Sequence, residues 1–236
     1  MFDIRTKNIF LSDKSIADDF IKGYEYPYEV LPNIKNYILE LGNSLGSDYI
    51  KQGDNIWIHQ SASIYHSVAI EGPCIIDENA ELRHNAFIRG NVIIGKNCVV
   101  GNSSELKNTI LYDNVQVPHY NYVGDSILGY LSHMGAHASA SNVKGDKKNV
   151  VIKNEEEKVE THLKKVGAFL GDEVEIGCAC ILNPGTIVLP KTNIYTNVSV
   201  RGVMPGNSIV KSMDNIVDKE DEIPVVKQKR MKNKKV

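Results

Sequence analysis

The sequence predicts a mainly β protein: a parallel β-helix of six-residue repeats, with a helical segment at the N-terminus and one inserted hairpin. The first observation behind this is a strict period of six. Every sixth residue from position 58 is aliphatic, as Ile58, Ile64, Ile70, Ile76, Leu82, Ile88, Ile94, Val100 and Leu106. If aliphatics filled ~25% of positions at random, such a run would arise roughly four times in a million. The phase slips by one to Leu111, Val117 and Val123, and again to Leu128 and Met134, then resumes as Leu170, Ile176, Leu182, Val188, Ile194 and Val200. The second observation is the partner column two residues earlier, which is small or apolar throughout: Ile56, Ala62, Val68, Cys74, Ala80, Ala86, Val92, Cys98 and Ser104. The third is turn chemistry between repeats, at Gly95-Lys96-Asn97, Gly101-Asn102, Gly124-Asp125, Gly171-Asp172, Pro184-Gly185 and Pro205-Gly206. A period of six fits neither a helix nor a long strand. It fits short strands joined by tight corners, three to a coil of about 18 residues, stacked so that each strand pairs with the one a coil below.

Taken in chain order, residues 1–50 read as helical. Ser12 is expected to cap a first helix that carries Ile16, Phe20 and Ile21 and closes at Gly23, and Asp13, Asp18 and Asp19 read as its solvated face. Pro32 is expected to open a second helix with Leu31, Ile34, Ile38, Leu41 and Leu45 at helical spacing and Gly42 near its end. An uncapped coil exposes strand edges, so this segment is expected to cover the first end of the solenoid. Residues 51–210 form the β-helix, interrupted over 143–165 by a charged stretch. There, alternation in Val150–Lys153 and Lys158–Thr161 around Asn154-Glu155-Glu156-Glu157 predicts a projecting hairpin. Residues 211–236 read as a charged C-terminal tail ending KQKRMKNKKV.

Composition removes several function classes. Lys plus Arg is 27 against 29 Asp plus Glu in 236 residues, a net charge of -2 that provides no global basic field for nucleic acid. Mean hydropathy is -0.24, and no stretch approaches the ~18 apolar residues of a membrane span. The start MFDIRTKNIF lacks a basic region followed by an apolar one, so a cytosolic location is expected. Cys74, Cys98, Cys178 and Cys180 form no CxxC and lie in apolar-patterned segments, which reads as four reduced, buried thiols.

Chemistry-bearing residues cluster after Asn102. Glu105-Leu106-Lys107 precedes His119-Tyr120-Asn121-Tyr122-Val123-Gly124-Asp125, and Gly135-Ala136 leads to Asn142. This pattern resembles the hexapeptide-repeat acyltransferases, and within them the acetyltransferase domain of the bifunctional enzymes that make UDP-N-acetylglucosamine. The later VGAFLGDEVEIGCACILNPGTIV is similar to archaeal-type sugar-phosphate nucleotidylyltransferase/acetyltransferase fusions. The resemblance spans about residues 56 to 210. It implies a left-handed coil, a homotrimer, acetyl-CoA as co-substrate in a groove between subunits, and an amino-sugar 1-phosphate (glucosamine-1-phosphate or galactosamine-1-phosphate) as acceptor. It also implies roles for individual residues. His119 would be the general base, with Arg89, Lys107, Tyr122, Asn142 and Lys148 on the sugar phosphate and Ala136, Cys178 and Lys211 on the coenzyme. An imidazole suits amine deprotonation near neutral pH, and guanidinium and ammonium groups suit a phosphomonoester. His119 is expected on one wall and Cys178 on another, so that a complete site forms only across subunits.

The chain departs from the family pattern at His133, where an asparagine is usual, and at Val143, where a tyrosine is usual. It also shows no Gly-x-Gly-x-x-Arg-Met signature, so the nucleotidylyl transfer step is expected to belong to a separate uridylyltransferase. Two other readings compete with the acetyltransferase. One is a non-catalytic solenoid partnering such an enzyme. The other is a hexapeptide-type carbonic anhydrase, whose zinc would be held by histidines of adjacent subunits drawn from His119, His133 and His137, which the spacing of the last two disfavours.

Overall fold

The computed structural model describes residues 1–219, and from Ile56 onward the chain winds a left-handed parallel β-helix with three faces. The first face stacks Ile56–His59, Cys74–Ile76, Val92–Ile94, the C-terminal halves of Glu105–Leu111 and Tyr122–Leu128, then Ala168–Leu170, Thr186–Val188 and Val203–Met204. The second stacks Ala69–Glu71, Phe87–Arg89, the N-terminal halves of the same two long strands, Ser139–Ala140, Ile181–Leu182 and Ser199–Val200. The third runs from Ser63–Ile64 through Glu81–Leu82, Val99–Asn102, Gln116–His119, His133–Met134, Glu175–Ile176 and Asn193–Ile194 to Ser208–Ser212. The two slips in the period fall in the long strands. Each loses one corner residue, and the chain rounds the bend on a single left-handed residue, Asn108 or Asp125. Corner residues elsewhere are also left-handed, and asparagine, which adopts this conformation readily, fills many of them: Asn79, Asn85, Asn91, Asn97, Asn114 and Asn197.

The hexad aliphatics point inward as expected and are buried from Ile76 onward. A second apolar column points outward on the first face, with partners Trp57, Ile75, Ile93, Ile110, Ile127, Phe169, Ile187 and Val203 in register. Left bare, it would expose a continuous apolar wall, and the rest of the chain covers it. The N-terminal segment does so with α1 (Thr6–Ile9), α2 (Asp18–Lys22), a 3-10 turn at Pro27–Asn33 and α3 (Ile34–Ser44). α3 packs on the first-face strands with Gly42 against the Trp57 indole, and Phe10 stacks on Tyr112 at 5.2 Å. The helices therefore lie along a side of the solenoid and not over its first end, where Ile58, Ile64 and Ile70 line an open recess. That end carries the antiparallel strand Tyr49–Gln52 instead.

Three local expectations change for related reasons. Ser12 does not cap α2, which begins after Ala17, because the backbone N–H groups of Leu11 and Ser12 are drawn onto the buried Asp172 carboxylate at 3.1 and 2.7 Å. Asp18 is buried, not solvated, and accepts the Tyr112 hydroxyl at 3.0 Å. Pro32 sits inside the 3-10 turn, one residue before Asn33, the N-cap of α3. The insertion does form a hairpin, Val151–Asn154 with Glu157–Glu160. It lies flat rather than projecting: Val150 and Ile152 are fully buried over Gly185, and Asn154 holds the Phe2 backbone. Ser208–Ser212 and Asn215–Asp218 close the far end as an antiparallel pair, so the tail begins later than position 211. The basic run 227–236 lies outside the described residues. No helix among the described residues is long and apolar enough to cross a membrane.

Candidate active site

The backbone ladder fixes which corner residues stand above one another. The bonds Ser103 N to His84 O, Tyr120 N to Asn102 O, His137 N to His119 O, Ala179 N to Ala136 O and Asn197 N to Cys178 O, all 2.8–3.1 Å, define one column. That column reads His84, Asn102, His119, Ala136, Cys178 and Thr196 at the corner between the third and second faces. His119, Ala136 and Cys178 thus occupy successive coils of one edge, His119 and Cys178 about 10 Å apart at ~4.8 Å per coil. They do not lie on different walls, because the insertion between Ala136 and Cys178 leaves the stack without breaking it. Cys178 is exposed, in contrast to Cys74, Cys98 and Cys180, which are buried.

On the second face, beside that corner, four of the sequence-derived residues come together. Register places Arg89 next to Lys107 and Tyr122 next to Glu105. Arg89 donates to Glu105 at 2.6 Å, and the carboxylate holds the guanidinium above its usual range. Tyr122 Oη and Asn142 Nδ2 both fold over Gly124, where a Cβ would sit 2.5 and 2.8 Å from them. A Cβ there would push both side chains out of this arrangement. Asn142 Nδ2 also donates to buried Asp125 at 2.5 Å, whose other oxygen accepts Asn108 at 2.9 Å. Burial raises the Tyr122 phenol.

Lys148 does not join this group. It lies exposed in the turn after Asp146, whose carboxylate takes its backbone N–H. Lys165 stands in its place: the bridge between Val143 and Lys165 closes the insertion and returns Lys165 beside Lys107. Burial lowers the Lys107 ammonium, and the positive charges of Lys165 and Arg89 lower it further against the pull of Asp125. Sequence reading missed Lys165, Asp125 and Glu105. Glu105 stood within the quoted motif, whereas Lys165 lies in a charge run that gives no sign of its destination.

The third face offers a groove where Gly135 and Gly177 omit side chains. It is lined also by His133, Glu175, Cys178, Asn193 and Tyr195. Neither glycine tolerates a Cβ, which would lie 2.7 or 2.6 Å from a backbone nitrogen of the next coil. His133 Nδ1 bonds Glu175 at 2.8 Å. Asn193 Oδ1 is buried without a partner. Lys211 lies on the same face beside Tyr195, so the groove leads from the His119 corner toward it. His137 stacks on Tyr120 at 5.0 Å. With His133 on Glu175, the three histidines of the zinc reading do not converge within one chain.

Residues 70–204 match the GMPPB C-terminal domain family. The chain belongs to this family. It is 36% identical over 128 residues to the bifunctional protein GlmU of Methanococcus aeolicus, covering 54% of this chain and 29% of that protein. It is 31% identical over 166 residues to a bifunctional sugar-1-phosphate nucleotidylyltransferase/acetyltransferase of Sulfurisphaera tokodaii, covering 62% of this chain and 41% of the relative. The chain therefore spans less than half the length of these curated relatives. Among solved structures it is similar to the polySia-specific acetyltransferase NeuO, with TM-score 0.47 and 12% identity over 71% of this chain and 87% of that one.

Proposed function

We propose that the chain is an acetyl-CoA-dependent N-acetyltransferase acting on an amino-sugar 1-phosphate, glucosamine-1-phosphate or galactosamine-1-phosphate. The observation that carries this reading is the meeting, at one edge, of an exposed imidazole, a cationic second face and a groove along Gly135 and Gly177. The sugar ammonium first gives one proton to solvent; the free amine then attacks the thioester carbonyl as His119 takes a second proton from the nitrogen, and the imidazolium returns that proton to the thiolate as the carbon–sulfur bond breaks. The developing oxyanion requires a preorganised donor. The Ala136 N–H, left over by the ladder and one coil from His119, suits that role. Lys107 and Lys165, with Arg89 behind them, form the phosphate-binding pair, and Tyr122 and Asn142 face the sugar. The coenzyme arm lies along Gly135 and Gly177 toward Lys211.

Among the described residues, the first face is covered by the chain's own N-terminal segment and inserted hairpin, whereas the second and third are not. A homotrimer that sets one chain's second face against its neighbour's third would enclose the His119 corner between subunits. The test is a thiol-release assay across a panel of amino-sugar phosphates, with sedimentation on the same sample. Acetyl transfer to a hexosamine 1-phosphate by a trimer is expected. Transfer to none of the panel, or a stable monomer at micromolar concentration, overturns the corresponding part of the reading.

A further inference from the structure

We propose that Asn121 is the positioning residue that holds His119 in register with the next coil; the role rests on the assignment of His119 as base. The inner corner column reads Val68, Ala86, Ser104, Asn121, Ala138, Cys180 and Val198, as the ladder from Ala69 N to Ala86 O through Ile181 N to Val198 O defines it. Small or apolar side chains satisfy that column everywhere else except at Ser104, whose hydroxyl turns to Val117 O and to the Asn121 backbone. Asn121 is 2% exposed, and its carboxamide uses both ends. Oδ1 accepts the His119 backbone N–H at 3.0 Å, and Nδ2 donates to Gly135 O at 2.8 Å and Ala138 O at 3.1 Å.

Those two carbonyls bracket Ala136, whose N–H faces outward in the His119 column. One planar amide therefore ties the corner bearing the imidazole to the corner bearing the oxyanion donor. Only a group with an acceptor and two donors in one plane can do this. Alanine at 138 shows that the fold itself does not need an amide in this column, so its presence at this coil follows the chemistry and not the solenoid. Without it, nothing but the corner backbone fixes the distance between base and donor, and a misplacement near 1 Å costs about 10²-fold in rate.

The experiment compares Asn121→Ala and Asn121→Ser with wild type and with Thr186→Ala, which removes a buried hydroxyl from the first face, away from the site. The readouts are thermal unfolding, kcat and both KM values in the thiol-release assay. The expected result is a loss of roughly 10- to 100-fold in kcat, with both KM values within about threefold and Thr186→Ala unchanged in kcat at a comparable fall in Tm. In a His119→Ala background, Asn121→Ala should remove less than about threefold more, because the amide acts through the imidazole. Folded Asn121 variants with wild-type kcat, or losses that multiply in the double variant, overturn the proposal. If Asn121→Ala does not fold, Asn121→Ser, which places at 121 the residue the column already holds at 104, decides by the same readouts. Wild-type protein with no transfer on any amino-sugar phosphate refutes the functional reading itself, which is a distinct outcome.

Discussion

Replacing Lys165 by alanine separates the geometry from the linear motif, since the motif points to Lys148 and the fold delivers Lys165. The substitution removes an exposed ammonium that stands beside Lys107. A hydrogen bond to a charged group contributes about 1.5–3 kcal/mol when well desolvated. Exposure of Lys165 argues for a discounted value of about 1–2 kcal/mol, a roughly 5- to 30-fold rise in KM for the sugar phosphate at 1.4 kcal/mol per decade. kcat and the KM for acetyl-CoA should move little. The pH dependence has a definite sign. Burial, followed by Lys165, holds the Lys107 ammonium below its usual value, so phosphate binding in the wild type weakens on the alkaline side as that group deprotonates. Removing Lys165 lifts part of the suppression, and the alkaline limb of kcat/KM should shift to higher pH even as its plateau falls. By linkage, the same depressed value makes the folded state release its proton before the unfolded one does. The unfavourable contribution of Lys107 to stability is therefore full below the lowered value and disappears as pH rises through it toward ~10.4. Steady-state kinetics from pH 6 to 10 on Lys165→Ala and Lys148→Ala measure the binding effects, and urea unfolding over the same range measures the stability effect. A Lys148→Ala protein with raised KM beside a Lys165→Ala protein with wild-type KM and an unmoved alkaline limb would refute the placement of the phosphate.

His119→Ala should lose about 10²- to 10⁴-fold in kcat while unfolding at nearly the wild-type temperature. The ring is exposed at a corner, so its removal opens no cavity, and retention of more than a tenth of the rate would move the base elsewhere. Phe169→Ala should destabilise by about 3–5 kcal/mol in urea unfolding. Phe169 is fully buried between Ile127 and Ile187 in the outward column, and a loss under 1 kcal/mol would mean that the covering layer is not tightly packed. Gly101→Ala should cost about 3 kcal/mol or more and depress activity with it. Its Cβ would lie 1.6 Å from Pro118 O, directly before His119, and circular dichroism with the transfer assay would show both effects.

The sequence by itself determined the solenoid, its coil length and most of its inward column, because the period of six repeats one local geometry whose apolar positions have a single place to go. The grouping of Arg89, Lys107, Tyr122 and Asn142 was implied by the family resemblance, and the register agrees with it for Arg89, Lys107 and Tyr122, which lie 18 and 15 residues apart on adjacent coils of one face. The outward column of Ile75, Ile93, Ile110, Ile127, Phe169 and Ile187 was present in the sequence too, once per coil. Its meaning depends on which of three faces each strand joins, a matter of register around the whole coil. Only the tertiary structure decided that the N-terminal helices lie along that wall, that the inserted hairpin lies down beside them, and that Lys165 and not Lys148 returns to Lys107. Only it decided that His119 and Cys178 share one edge. Each of these depends on where an insertion leaves and rejoins the stack. The charged run alternates enough to foretell its hairpin but carries no period of six, and its endpoints are fixed by apolar burial and backbone pairing with residues far away in the chain.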